Sequence, residues 1–422
     1  DPVPLGACLL MLLPLAARRF STPLGAVCAV FSAAGLLFTL SRGAWLGAAC
    51  GLLFYAAASG RLHWRAFDPR LRWAWGLGAA GVLAAVLALA GLLRPTKASD
   101  SARIELWRST PGILRESPWL GGGPDTFQTA LRKHRTEAFA RILGPRASQV
   151  TAHNDFLQVL CTLGVIGFMA YLWLLYAVAV TLREGLNDPA RRDLAAAIGG
   201  ALLGLFVQAK FNPVPLAAMT LASLLAGLLA RSPARPVFGA RALKAAVFLI
   251  CAAALAGVAR LSAADRSFHM GRVLERSRRT EAAFEAYRRA VSRNPYELFY
   301  RMSFARALHS QTENSADASR KVRLLEETVR MGEDAISLRP AEVEGYLLLG
   351  TYLMSLKLAG GQDRLEEAES VFDKALSMDP MFLPLLENRW KLAELRGQRD
   401  SAGRRKAEYE QAAVALGIPL RF

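Results

Sequence analysis

Residues 94–154 read RPTKASDSARIELWRSTPGILRESPWLGGGPDTFQTALRKHRTEAFARILGPRASQVTAHN, and they decide how the rest of the chain is understood. The stretch is polar and lies between two long apolar runs. Connections between elements are typically about 4–6 residues, so a polar loop of this length (94–152) is functional or disordered. It carries Arg103 near its start and ends where His153-Asn154 opens the next apolar run. A titratable side chain at the edge of an apolar run marks the loop as a candidate active-site segment.

Working outward, a bilayer core takes about 20 apolar residues as helix. That criterion predicts spans at 3–17, 22–40, 43–59, 73–93, 155–182, 194–209, 213–230 and 243–261 of the 422 residues. The net charge of +17 is unevenly placed: 26 Lys/Arg face 11 Asp/Glu up to Leu261, and 26 face 24 beyond it. The excess therefore belongs to the apolar half, which excludes the nucleic-acid reading of a basic soluble protein. It points instead to cytoplasmic loops, anionic lipid head groups or a phosphorylated substrate. Arg18-Arg19, then Arg61/Arg65/Arg70/Arg72, then Arg183/Arg191/Arg192, then Arg231/Arg235/Arg241/Lys244 fall on alternate loops. Short Lys/Arg-rich loops mark the cytoplasmic side. The Ser41-Arg42-Gly43 turn, the 94–152 loop, the Lys210-Phe211-Asn212-Pro213 turn and everything after Leu261 are then expected on the other side, the periplasm of a bacterial inner membrane.

The chain is apolar from its start, with no charged segment or cleavage site ahead of the first run, so that run is not a signal peptide. Earlier spans are expected to be missing. All five cysteines (Cys8, Cys28, Cys50, Cys161, Cys251) sit inside apolar runs, which argues against a disulfide framework and against a cysteine metal site.

After Leu261 the pattern becomes one of amphipathic helices. Gly271, Ala283, Tyr287, Ala290 and Pro295 have the spacing of a tetratricopeptide repeat. Gly350, Ala368, Phe372, Ala375 and Pro380 repeat it with six extra residues around Gly360-Gly361, and a looser copy lies near Ala335 and Pro340. Stacked pairs present a concave protein-binding face; the alternative is a generic helical bundle. The expected domains are therefore 1–261, a transmembrane domain that carries the chemistry, and 262–422, a periplasmic repeat domain. The fold class is all-α throughout.

Three residues are candidates for that chemistry. Arg42 is the lone charge in a tight turn between two apolar runs, and a juxtamembrane arginine is functional by default; the competing reading is an anchor that snorkels to the head groups. Arg103 lies in a short predicted helix, Ser101–Arg108, on one face with Trp107, and competes with a surface salt bridge to Glu105 or Asp100. His153 titrates near neutral pH and suits a general base; the alternative is an interfacial histidine bonded to a carbonyl. Gly121-Gly122-Gly123-Pro124 is not a P-loop, since no Gly-Lys-Ser/Thr follows; it is a turn whose N–H groups could face an anion. Lys133, His134, Arg135, Arg141 and Arg146 make a basic stretch, either a solvated face or an attraction for phosphate.

Five pieces in order resemble the O-antigen ligase/polymerase superfamily of bacterial membrane glycosyltransferases. They are Thr39–Gly47 (TLSRGAWLG), Arg103–Trp107 (RIELW), Ser117–Phe127 (SPWLGGGPDTF), His153–Gln158 (HNDFLQ) and Phe206–Asn212 (FVQAKFN). The resemblance covers about residues 20–230 and implies a GT-C-like helical bundle whose periplasmic loop covers a lipid-facing cavity. It implies an inverting transfer of a glycan from undecaprenyl diphosphate to an acceptor hydroxyl, with no nucleotide sugar, required metal or other cofactor. Arg42 and Arg103 would then hold the diphosphate and His153 would assist the acceptor. Asn154, Trp107, Lys133, Arg135 and Lys210 would contribute to substrate binding. The loop is short and basic for this family, and there the chain departs from well-described ligases.

The acceptor is then lipid A-core for a ligase, a growing glycan for a polymerase, or a protein hydroxyl for an O-oligosaccharyltransferase. A protein partner on the repeats fits each of these. A non-catalytic envelope-assembly scaffold is the reading from another class, and it leaves Arg42, Arg103 and His153 unexplained.

Overall fold

The computed structural model describes residues 2–60, 97–230, 240–313 and 315–419. The expected span 73–93 and the basic residues at 61–72 and 231–235 lie outside the described residues. Among the described residues every regular element is an α-helix. The chain divides into two compact units, Asp1–Leu143 with Ser148–Pro233, and Gly144–Ala147 with Ala234–Phe422.

The first unit contains α1 (Pro2–Arg18), α2 (Pro23–Phe38), α3 (Arg42–Ala58), α4 (Lys97–Glu116), α5 (Phe127–His134), α6 (Glu137–Leu143), α7 (Asp155–Asn187), α8 (Arg192–Ala209) and α9 (Leu216–Leu229). The apolar helices coincide with the expected spans, and α7 and α8 are long and apolar enough to cross a membrane.

Its centre is the crossing of α3 and α8. A Cβ on Gly47 would stand 2.4 Å from the Gly204 carbonyl oxygen, and one on Gly51 2.4 Å from the Gly200 oxygen. Glycines four apart on each helix thus face each other in antiparallel order, and the two backbones touch. Lipid offers no hydrophobic drive to join helices, so close backbone approach at small residues does that work. Leu10 and Met11 of α1 and Trp45, Ile198 and Leu225 fill the surrounding core.

The loops sort to two ends of this bundle, as the charge alternation predicts. At one end the Arg18 Nε lies 3.0 Å from Asp193, the Tyr55 hydroxyl donates to Asp193 over 3.1 Å, and Arg192 Nε donates to the Ala58 carbonyl. At the other end Gly43 sits against the Asn212 amide.

The expected single span 155–182 is instead two segments. Within α7, Gly164 has φ 65° and ψ −169°, outside the helical region. The Phe156 ring lies 5.5 Å from Phe168 and 6.0 Å from Tyr171. In an unbroken helix those rings would be about 18 and 22 Å apart, so the chain doubles back at Gly164. The turn Pro118–Gly123 ties off the break. Gly122 N–H donates to Cys161 O and Gly123 N–H to Thr162 O, while Val165 N–H donates to Pro118 O and Ile166 N–H to Trp119 O. The glycine-rich turn therefore spends its amides on α7 rather than on an anion.

The second unit begins with α10 (Ala240–Arg276), whose apolar part is a candidate span and whose last turns open the repeats. Then follow α11 (Thr280–Arg293), α12 (Leu298–Glu313), α13 (Ala318–Leu338), α14 (Val343–Leu358), α15 (Leu365–Met378), α16 (Leu383–Leu395) and α17 (Arg399–Ala415). These make four helix pairs. The loose copy near Ala335 is the second pair, and α16–α17 form a fourth that the spacing does not reveal. The spacing itself has a steric cause. A Cβ on Gly271 would meet the Tyr287 ring at 2.8 Å, and one on Gly350 the Phe372 ring at 2.3 Å, so the glycine admits the aromatic side chain of its partner helix.

Replacing Gly51 by Ala forces α3 and α8 apart and is expected to cost about 1–3 kcal/mol, the usual range for overpacking. Thermal unfolding in detergent checks this; an unchanged midpoint would mean that the crossing tolerates separation.

Candidate active site

Local sequence explains how each side chain is placed. Ser41 caps α3, its hydroxyl accepting from Ala44 N–H, and the Trp45 indole donates to Leu36 O over 2.7 Å. Arg42 is therefore fixed in the first turn of α3. Leu40, just before it, has φ 50°. At the other wall, Asn154 caps α7 by accepting from the N–H groups of Phe156 and Leu157. The Trp107 indole donates to Ala152 O over 2.8 Å. Between these two restraints His153 takes φ 52°. A left-handed conformation is uncommon for a non-glycine residue and costs about 1–3 kcal/mol when its surroundings impose it.

Arg42, Arg103 and His153 converge. One terminal nitrogen of Arg42 donates to both oxygens of Asp100, at 2.7 and 2.8 Å. Arg103 approaches the same carboxylate at 3.7 Å. Arg103 and His153 line one open cleft of about 200 Å³ with Ala102, Leu106, Phe139, Leu143 and Gln149. Arg42 is not among the lining residues; Asp100 links it to Arg103. Glu105, the other partner considered for Arg103, is turned away: it pairs with Arg108 at 2.6 Å and accepts from the Thr136 hydroxyl at 2.8 Å. The short helix expected at 101–108 is one part of the 20-residue α4.

The electrostatics favour an anion beside a neutral base. Burial disfavours the Arg103 charge, Asp100 favours it and Arg42 opposes it; the guanidinium nevertheless stays protonated. Two arginines thus approach one carboxylate, that of Asp100. Burial, and next the Arg103 charge, hold the His153 imidazole below its ordinary 6.5. Its Nδ1 is buried and has no hydrogen-bond partner among the described residues.

The remaining expected residues separate into two groups. Trp107 and Asn154 hold the His153 backbone, with the Trp107 N–H and the Asn154 Oδ1 already engaged. Lys210 lies next to them: its ammonium meets Asp155 Oδ1 at 2.5 Å and stands 3.4 and 3.8 Å from the ring centres of Phe156 and Phe206. Asp155 also accepts from the Tyr171 hydroxyl. Lys133 pairs with Glu116 at the far end of α4, about 20 Å along the helix from Arg103. Neither Lys133 nor the buried Arg135 lines the cleft. Gln149, Asp155 and Tyr171 are the site's additions to the sequence reading. Asp155 and Tyr171 could not be ranked in sequence, because only the reversal at Gly164 brings Tyr171 to the carboxylate that Lys210 also meets.

Residues 27–172 match the O-antigen ligase family. Arg42, Arg103, Trp107 and His153-Asn154 fall inside that match, and Lys210 lies beyond it. Residues 264–297 and 346–380 match the tetratricopeptide repeat, on the first and third helix pairs. No curated protein matches the chain. The O-antigen ligase segment thus contributes both walls of the cleft, and the chain is a membrane protein with a repeat tail.

Lys210→Met strands Asp155 without its cation in a mostly covered position, where an unpaired charged group costs about 2–3 kcal/mol. Thermal unfolding should fall accordingly, and Lys210→Arg should recover part of the loss. Equal stability of the Met variant and the parent would show that the pair does not hold α7 to α8.

Proposed function

We propose that the chain transfers a glycan from a lipid-linked diphosphate to an acceptor hydroxyl, as an O-antigen ligase does. One observation carries the reading: Arg42 and Arg103 converge on a single carboxylate beside a histidine kept neutral by its surroundings. The acceptor hydroxyl gives its proton to His153 and its oxygen attacks the anomeric carbon. The bond from that carbon to the phosphate oxygen breaks, and the electron pair leaves on the diphosphate. Arg42 and Arg103 offset the charge that develops there. Attack opposite the leaving group inverts the anomeric centre. The strained backbone at Leu40 and His153 fits a site held in working geometry by the elements around it.

The donor is read as undecaprenyl diphosphate glycan and the setting as the periplasmic face of a bacterial inner membrane. Lipid A-core is the leading acceptor. The repeats favour one alternative, a protein acceptor or a partner that delivers it, since such surfaces bind peptides.

His153→Ala and Arg42→Ala should each reduce transfer in purified, bilayer-reconstituted protein by about 10²–10⁴-fold. Full turnover in both would end the catalytic assignment. The base works only unprotonated, so kcat/KM should hold through neutral pH and fall as pH drops below the ordinary 6.5. Arg103→Gln removes a charge that opposes protonation; the acid limb of its residual activity should move to higher pH. A limb that stays in place would detach His153 from the rate.

A further inference from the structure

The turn at Pro118–Gly123 has its backbone bound to α7, and yet its tip is apolar and uncovered. Trp119 is 67% exposed and Leu120 72%. A Cβ on Gly164 would lie 2.4 Å from the Trp119 carbonyl, so the tip sits directly on the reversal of α7. From there an exposed apolar face continues along α7 through Leu163, Ile166, Met169, Trp173 and Tyr176. This is the face of a candidate membrane span.

Lengths locate the tip relative to the bilayer. The apolar run from 165 to 182 gives about 27 Å of helix, close to the ~30 Å of a hydrocarbon core. Its polar limit at one end is Arg183-Glu184, so its other limit is Gly164 and the tip. Tyr171, which shares Asp155 with Lys210 at the end of α8, lies about 10 Å further in along the helix. Non-helical backbone survives at membrane depth only where its polar groups are bonded, and here four main-chain hydrogen bonds bridge the break. Aromatic side chains favour the level of the head groups.

We propose that residues 118–123 and the reversed segment 155–166 form a re-entrant wedge in the bilayer, with Trp119 and Leu120 in contact with phospholipid. The start of α3 and the end of α8, with Arg42 and Lys210, then lie below the membrane surface. The proposal rests on the membrane reading alone and stands whether or not the chain is a transferase.

The test places the photocrosslinker p-benzoylphenylalanine at position 119, and separately at 120, in the full chain. The protein is reconstituted in nanodiscs of defined phospholipid that contain no polyprenyl lipid. Intact-mass measurement after illumination should show phospholipid adducts at both positions and none with the probe at 137, an exposed site on α6. Adducts at 120 alone still support the wedge, since the probe at 119 could disturb the turn. Crosslinks only within the chain, no lipid adduct at either position, or equal labelling at 137 would overturn it.

Discussion

At the crossing of α3 and α8 two backbones touch because four glycines leave no side chains between them. The contact is short-range and steric, and it fixes more than a helix pair. It brings the start of α3 to the end of α8, so the turn that carries Arg42 meets Phe211 and Asn212, next to Lys210 in the chain. Lys210 then sets the position of Asp155, and Asp155 fixes the first turn of α7, two residues beyond His153. A side chain larger than hydrogen at Gly47 or Gly204 would therefore act on a histidine far along the chain. The mutation would touch neither His153 nor its direct neighbours and would still displace it.

Charge is handled differently on the two sides of His153. Lys210 is matched by Asp155, cushioned by two rings, and its carboxylate is also bonded to Tyr171; that cluster is close to electrically closed. Arg42 and Arg103 both approach Asp100, two guanidiniums at one carboxylate. A mostly covered, bonded cluster such as that at Asp155 rigidifies its surroundings.

The sequence made the helical spans legible because each is a long apolar run, and the alternation of arginines sorted their loops to two ends. Arg42 and His153 stood out as a charged and a titratable residue at apolar boundaries, whereas Arg103, inside the polar loop, stood above a surface salt bridge only with the family resemblance; the structure brings the three near one another. Three features were not. The reversal at Gly164 is hidden because apolar residues continue on both sides of it, and hydropathy does not register direction. The glycine pairs of α3 and α8 are legible only once the partner helix is known. The amides of Gly122 and Gly123 look like an anion site in sequence, and only tertiary structure shows that Cys161 and Thr162 occupy them. The fourth repeat pair is missed for a similar reason: α17 carries no glycine–aromatic contact that would set the spacing.

The repeats follow from α10 by the same reasoning. Its 37 residues run from an apolar window into the helix that packs on α11, with no break at the change from lipid-compatible to water-compatible sequence. Near that change Arg260 donates to Arg293 O, and Arg293 donates back to Ala263 O and to the Ser267 hydroxyl. A flexible linker there would let the repeats rotate freely. A continuous helix, bonded to the end of α11 where it leaves its apolar window, does not. The first repeat is therefore continuous with a candidate membrane span and takes its orientation from that helix.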